Sequence, residues 1–197
     1  MEWKTLQENF TKKGFTVKIF KTGAEAVEYL KQEIQGTTVA FGGSVTLQQL
    51  GAYEALSQGN QMVWHWKCMT PEVMRLAQSA KVFLTSANGV AETGELVNID
   101  GRGNRVAMSL FGPERTYYVV GQNKIAPDLH AAIHRAQNIA APKNAQRLGK
   151  KTPCAVKADR CYDCNSPERI CNGTVIIQRP MTGMHTELIV IEEELGY

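Results

Sequence analysis

The chain has 197 residues, 43% of them hydrophobic and 21% charged, a balance that suits one sizeable soluble domain and excludes a disordered chain. Its 22 basic and 19 acidic residues leave a net charge of +3 with no Lys/Arg block or aromatic-basic stripe, which argues against nucleic acid as a partner. The opening residues lack an apolar stretch of signal-peptide length, and no run approaches the ~18 residues of a membrane helix, so a cytoplasmic protein with no membrane partner is expected.

Residues 1–12 have the spacing of a short amphipathic helix, and FTVKIF (15–20) reads as a strand. Thr22 precedes a helix over 23–34, whose Ala26, Val27, Leu30 and Ile34 recur at helical spacing. TTVAFGG (37–43) is a strand running into glycines, SVTLQQLGAYEAL (44–56) a helix, and MVWHW (62–66) a strand. Thr70, Pro71 and Glu72 supply a cap hydroxyl, a proline at the first helical position and an acid in the first turn, which predicts a helix to about Ser79. KVFLTSA (81–87) is the next strand, and this alternation predicts a parallel sheet with helices on both faces.

ELVNID (95–100), RVAMSLF (105–111) and RTYYVVG (115–121) then read as strands separated by polar turns, chiefly DGRGN (100–104). A helix is expected from about Asp128 to Ala140, interrupted by Pro142, with a second short helix through NAQRL (144–148). TVIIQRP (174–180) and ELIVIEE (187–193) are two further strands, the second apolar enough to lie inside the sheet. The expected architecture is a single mixed α/β domain over 1–197, a three-layer sandwich, with a Cys-rich surface loop at 152–173.

Chemistry concentrates in three places. In FGGSVTLQQLG (41–51) a strand ends at Gly42 and Gly43, Ser44 is placed to cap the next helix, and Thr46 adds a hydroxyl. Converging backbone N–H groups there suit a phosphate or carboxylate, although the glycines can equally serve a plain strand-to-helix turn. In TSANGVAETGELVNIDGRGNR (85–105), Glu92 is the best candidate for a base, a nucleophile or a ligand anchor. Asn88, Thr93, Asp100, Arg102, Asn104 and Arg105 can fix a polar substrate, and against this AETGE and DGRGN are good turn sequences in their own right. No Walker A, flavin or nicotinamide fingerprint is present.

The third place is Cys154-x6-Cys161-x2-Cys164-x6-Cys171. A CxxC pair flanked by two more cysteines can form a four-thiolate site for zinc or an iron–sulfur cluster. The spacing fits none of the usual strings, and disulfides or inert thiols stay open as readings. The histidines are weaker: His130 and His134 share a helix without an acid between them, His65 reads as a packed strand residue, and Cys68 as a small buried side chain.

FGGSVTL, LTSANGVAETGELVNIDGRGNRVA, YYVVGQNKI, the CYDCNSPERICN segment and ELIVIEEELG, in this order, resemble the LUD-domain family, also known as the lactate-utilization or DUF162 family. The resemblance spans nearly the whole chain. It implies the fold of ribose-5-phosphate isomerase, glucosamine-6-phosphate deaminase and the CoA transferases, an αβα sandwich. It also implies a pocket at Gly42, Gly43 and Ser44 that Glu92 would face. Some family members belong to a three-part iron–sulfur system that oxidises L-lactate, while many stand-alone members have no established activity.

The expected function is therefore a component of an organic-acid utilization system. It would bind a small anionic metabolite, work beside iron–sulfur protein partners, and hold an iron–sulfur cluster or zinc on the Cys segment. A small-molecule-binding or assembly module with a structural metal is the alternative. An isomerase, hydrolase or transferase acting on a sugar phosphate or acyl-CoA is a second. Whether the chain is itself an enzyme, and whether it forms a homo-oligomer, stay open at this level.

Overall fold

A computed structural model describes residues 3–197. In chain order the elements are α1 (Trp3–Lys12), β1 (Thr16–Phe20), α2 (Gly23–Glu33), β2 (Thr38–Phe41), α3 (Val45–Gln49), α4 (Ala52–Leu56), β3 (Gln61–Trp64), α5 (Pro71–Gln78), β4 (Val82–Thr85), β5 (Gly89–Ala91), β6 (Glu95–Asp100), α6 (Asn104–Leu110), β7 (Arg115–Gly121), β8 (Ile125–Ala126), α7 (Leu129–Arg135), α8 (Ala141–Arg147), α9 (Pro153–Lys157), β9 (Gly173–Ile177) and β10 (His185–Ile191). No helix among the described residues is long and apolar enough to cross a membrane.

Six strands form one parallel sheet in the order β1-β10-β7-β4-β2-β3. Strand β10 lies inside it, flanked on both sides, and Leu188–Ile191 are fully buried. That is why its sequence is a continuous apolar run rather than an alternating one. Adjacent residues of a strand serve opposite faces. Tyr117, Val119 and Ile189 pack with Leu30, Leu47 and Leu56 of α2, α3 and α4. Tyr118, Val120 and Leu188 pack with Leu6 and Phe10 of α1. Toward the β3 edge that second face is covered by α5 and α6, through Val73, Ala77 and Met108 on Val63 and Phe83. The molecule is thus an αβα sandwich.

A second sheet, β8-β5-β6-β9, shares the α1 side of the sandwich. Its inner face gives Val90, Leu96 and Ile177 to the core around Phe10, and its outer face packs Ala91, Val97 and Ala126 under Ala132 and Ala136 of α7 and the turn that follows. Gly89 is needed here, because a Cβ would lie 2.4 Å from the Ala132 carbonyl oxygen.

Caps form where the sequence places them. Thr22 and Glu25 make a reciprocal capping box on α2. Thr70 accepts from the Val73 amide with Pro71 at the first position of α5.

Four sequence expectations are corrected. The segment 105–111 is not a strand but most of α6, which turns Val106, Met108 and Ser109 inward. The helix expected over 44–56 is two one-turn helices, broken at Gly51, which takes φ 61°. Pro142 does not end its helix: a π-helical turn over Ala136–Ala140 absorbs the missing amide, and α8 continues. Cys68 is exposed.

Candidate functional site

The strand order reverses at β2. The chain goes from β2 outward to β3, then returns to place β4 on the other side of β2. In an open parallel sheet the crevice beyond the carboxyl ends of such strands is the natural ligand site. A cleft of about 900 Å3 lies there. Its floor comes from the segments that follow β2, β3, β4 and β7, namely Gly43–Ser44, His65–Trp66, Ser86–Asn88 and Lys124. Helix α8 supplies Asn144 and Arg147, and Arg169 and Ile170 of the Cys segment form part of the wall.

The most unusual group is Lys124. It is buried, and its Nζ donates to Thr46 Oγ1 and Ser86 Oγ, both at 2.9 Å. Among the described residues it has no carboxylate partner. Burial, with the nearby charges of Arg135 and Arg105, pushes its pKa down to about 7. Thr46 is held in turn, its hydroxyl donating to the Leu195 carbonyl at 3.3 Å.

Arg105 and Arg135 are anchored by acceptors of the surrounding framework. The guanidinium of Arg105 donates to Asn98 Oδ1 at 2.6 Å, Asn88 Oδ1 at 3.2 Å, and the carbonyls of Ser86 at 3.2 Å and Ile99 at 2.6 Å. Its Nε stands 3.3 Å from Asp100 Oδ2. The other Asp100 oxygen accepts from the amides of Arg102 and Gly103, which shapes the turn into α6. Arg135 Nε donates to the Asn123 carbonyl at 2.8 Å, and its Nη1 to that of Asn88. That ties the segment after β4 to the one carrying Lys124.

Above this floor the wall is aromatic and cationic. Arg147 stacks 4.7 Å from the centre of the Trp66 ring and donates to Tyr197 Oη at 2.8 Å. Arg102 lies across Met69. The basic lining residues are Arg102, Arg105, Lys124, Arg147 and Arg169, against the single carboxylate of Asp100. Such an excess around a concave surface favours an anion.

Among the sequence-predicted residues, Gly43, Ser44, Asn88, Asp100, Arg102, Asn104 and Arg105 line the cleft. Gly42 and Thr46 stand behind it. A Cβ on Gly42 would meet Thr85 Oγ1 at 2.8 Å, and one on Gly43 the Trp66 indole at 2.9 Å, so close packing explains both glycines. Ser44 spends its hydroxyl on the cap, accepting from Leu47 N at 3.2 Å. Helix α3 has only five residues, so the expected helix dipole contributes little and the cationic side chains supply the field.

Glu92 and Thr93 are not in the cleft. They occupy the turn at the far end of the β5–β6 hairpin, about 13 Å of extended chain from Asn88. The Glu92 amide is bonded there to the Ala126 carbonyl, and its own carbonyl accepts from Asn9 of α1. This corrects the expectation that Glu92 faces the pocket.

The sequence reading missed Lys124, Ser86, Arg147 and Tyr197. For Lys124 the usable signal is the position of GQNK directly after the buried strand β7, equivalent to Gly42–Ser44 after β2. His65 lies beyond the end of β3, half-buried at the cleft, and burial with the charge of Arg102 lowers its pKa. His130 and His134 are exposed on α7.

The cysteines are free thiols. Asp163, in the left-handed region at φ 43°, donates its amide to Cys161 Sγ at 3.4 Å. Cys171 has its pKa raised by burial, with Cys161 and Cys164 near enough to add to the rise. Arg169 donates to the carbonyls of Cys164 at 2.7 Å and Cys171 at 3.1 Å. Among the described residues no three His, Cys, Asp or Glu side chains are assembled to hold a metal ion.

The LUD domain family matches residues 4–191. The chain belongs to the LUD-domain family. The crystal structure of a DUF162 family protein from Deinococcus radiodurans is similar to this LUD domain, with a TM-score of 0.57 over 95% of this chain and 94% of that one. At 14% identity the likeness concerns the fold. No curated protein matches the chain.

Proposed function

We propose that the cleft binds a small organic anion of the hydroxy- or oxo-acid class, and that the chain is a component of an organic-acid, L-lactate-type utilization system. The observation that carries this reading is the convergence of Lys124, Arg105 and Arg147 on one concave surface whose lining holds a single carboxylate. A carboxylate of the ligand would offset the mutual repulsion of these cations. The hydroxyl of Ser86 and the amide of Asn88 suit a second polar group on the ligand.

The Cys segment enters the same proposal as the place of a zinc ion or an iron–sulfur cluster. The amide directed at Cys161 Sγ supports it, and metal loading requires the thiols to draw closer than they stand here. In the same system the partners would be iron–sulfur proteins.

One observation favours a second reading. The cleft, at about 900 Å3, has more room than a three-carbon acid fills. A sugar phosphate or an acyl-CoA would use the space, with the basic residues meeting its phosphates.

Titration calorimetry of the purified protein with L-lactate, pyruvate, ribose 5-phosphate and coenzyme A separates the two readings. Saturable binding of the three-carbon acids, weakened by salt, is the expected result. Binding of only the phosphorylated compounds moves the assignment to the second reading, and binding of none overturns both. Metal and acid-labile sulfide, measured per chain on protein purified without oxygen, test the Cys segment.

A further inference from the structure

Most buried lysines are held by a carboxylate, and Lys124 is held by two hydroxyls. Its Nζ faces the cleft with Thr46 Oγ1 and Ser86 Oγ at 2.9 Å each, fixed from below by Thr46's own bond to Leu195. The chain at Gly196 passes so close that a Cβ there would lie 2.6 Å from Thr46 Oγ1, so the hydroxyl has little freedom to turn away. A hydroxyl accepts and donates, so it can carry a proton to or from the amine. A carboxylate would instead lock the amine as ammonium.

Resting on the anion-binding reading above, we propose that Lys124 is a nucleophile that forms an imine with the carbonyl carbon of a small 2-oxo acid. Arg147 and Arg105 line the same cleft, and their charge would favour its carboxylate there. The neutral amine adds to the carbonyl carbon, forming the C–N bond as the C=O π bond opens, and the nitrogen passes one proton to the new alkoxide through Ser86. The resulting carbinolamine loses its hydroxyl together with the second nitrogen proton. One amine and one carbonyl thus give one imine and one water, and no electrons change hands. The lowered pKa of Lys124 supplies neutral amine near pH 7.

The test is reductive trapping with pyruvate as the probe. The intact protein is incubated with pyruvate and sodium cyanoborohydride, then mapped by peptide mass spectrometry, with calorimetry of pyruvate on the same preparation. The expected result is one carboxyethyl group per chain, located on Lys124 and absent from Lys124→Arg. L-lactate, which has no ketone, should slow the trapping without itself being trapped. Urea-unfolded wild-type protein should lose the preference for Lys124, which keeps the test valid if the variant does not fold. Pyruvate that binds but leaves no adduct on Lys124, or adducts spread equally over exposed lysines, would overturn the imine and leave the anion site standing. Absence of any pyruvate binding would remove the anion-binding reading itself, and the imine with it.

Discussion

At one end of the β5–β6 hairpin, Asn88 and Asp100 stand in the cleft and hold Arg105. At the other end, Glu92, Thr93 and Glu95 stand against α1, where Lys13 pairs with Glu95 and Asn9 bonds the Glu92 carbonyl. Both ends offer acids, hydroxyls and amides within a few residues of one another. They differ in what surrounds them. The cleft end lies beyond the carboxyl ends of parallel strands, where the chain leaves the sheet and five basic side chains line one concavity. The turn end packs on the side of a helix, where Glu95 is met by both Lys13 and Thr93. Residue type alone therefore does not mark the site; an unmatched excess of one charge in a concavity does.

The sharpest way to break this contrast is at Arg105. Its guanidinium satisfies Asn98, Asn88, Asp100 and two carbonyls at once. Arg105→Leu leaves those acceptors buried and the Asp100 carboxylate without its cation, a change that costs about 3–5 kcal/mol. Urea unfolding followed by circular dichroism should show that loss. A variant as stable as wild type would mean that the network is not what holds the hairpin to the cleft.

Lys124 separates binding from folding. Lys124→Met removes a charged donor to the ligand, worth about 1.5–3 kcal/mol, so anion affinity should fall about 10- to 160-fold. The same variant tests the pKa. The folded value of about 7 lies below the ordinary lysine value of 10.5, so between them the unfolded chain holds a proton that the folded chain lacks. Stability therefore rises with pH in that window, by up to about 1.4 kcal/mol per unit, and this contribution is absent below pH 7, where both states are protonated. Denaturation at pH 7 and pH 9 should show wild type gaining on Lys124→Met at the higher pH. Parallel behaviour of the two proteins would place Lys124 in water.

How far the sequence reveals this arrangement depends on how each signal arises. The parallel strands are legible because strands covered on both faces must be apolar throughout, and 82–84, 117–120 and 188–191 are. RVAMSLF is also a short apolar run, and such a run fits a helix as well as a strand. What decides for α6 is tertiary: Gly103, at φ 87°, turns the chain, and Met108 finds Phe83. Gly43 and Ser44 are readable because they follow a parallel strand directly, and the segments after such strands are where ligands sit. Lys124 is not, because a lysine reads as a surface residue until the segments after β2 and β4 close over it. Arg147 comes from a helix that composition places anywhere on the surface, and nothing local aims it at Trp66.

Glu92 gives the smallest effect and the cleanest discrimination. Glu92→Gln keeps the shape of the side chain and removes its charge. The Glu92 contacts that hold the turn use the backbone amide and carbonyl, and these survive the substitution. Stability should stay within about 0.5 kcal/mol. Anion affinity should be unchanged in calorimetry, since about 13 Å of strand separates the residue from Asn88 and the charge is screened over a Debye length of about 8 Å. A Glu92→Gln protein that folds normally but loses its ligand would reverse the assignment of the two hairpin ends. The acid of the AETGE turn would then be at work in a site on the α1 side, with the cationic cleft relegated to scaffolding. Retained affinity in Glu92→Gln beside lost affinity in Lys124→Met would place the chemistry at the carboxyl ends of the parallel strands, where the field of five basic side chains has the Asp100 carboxylate to answer it.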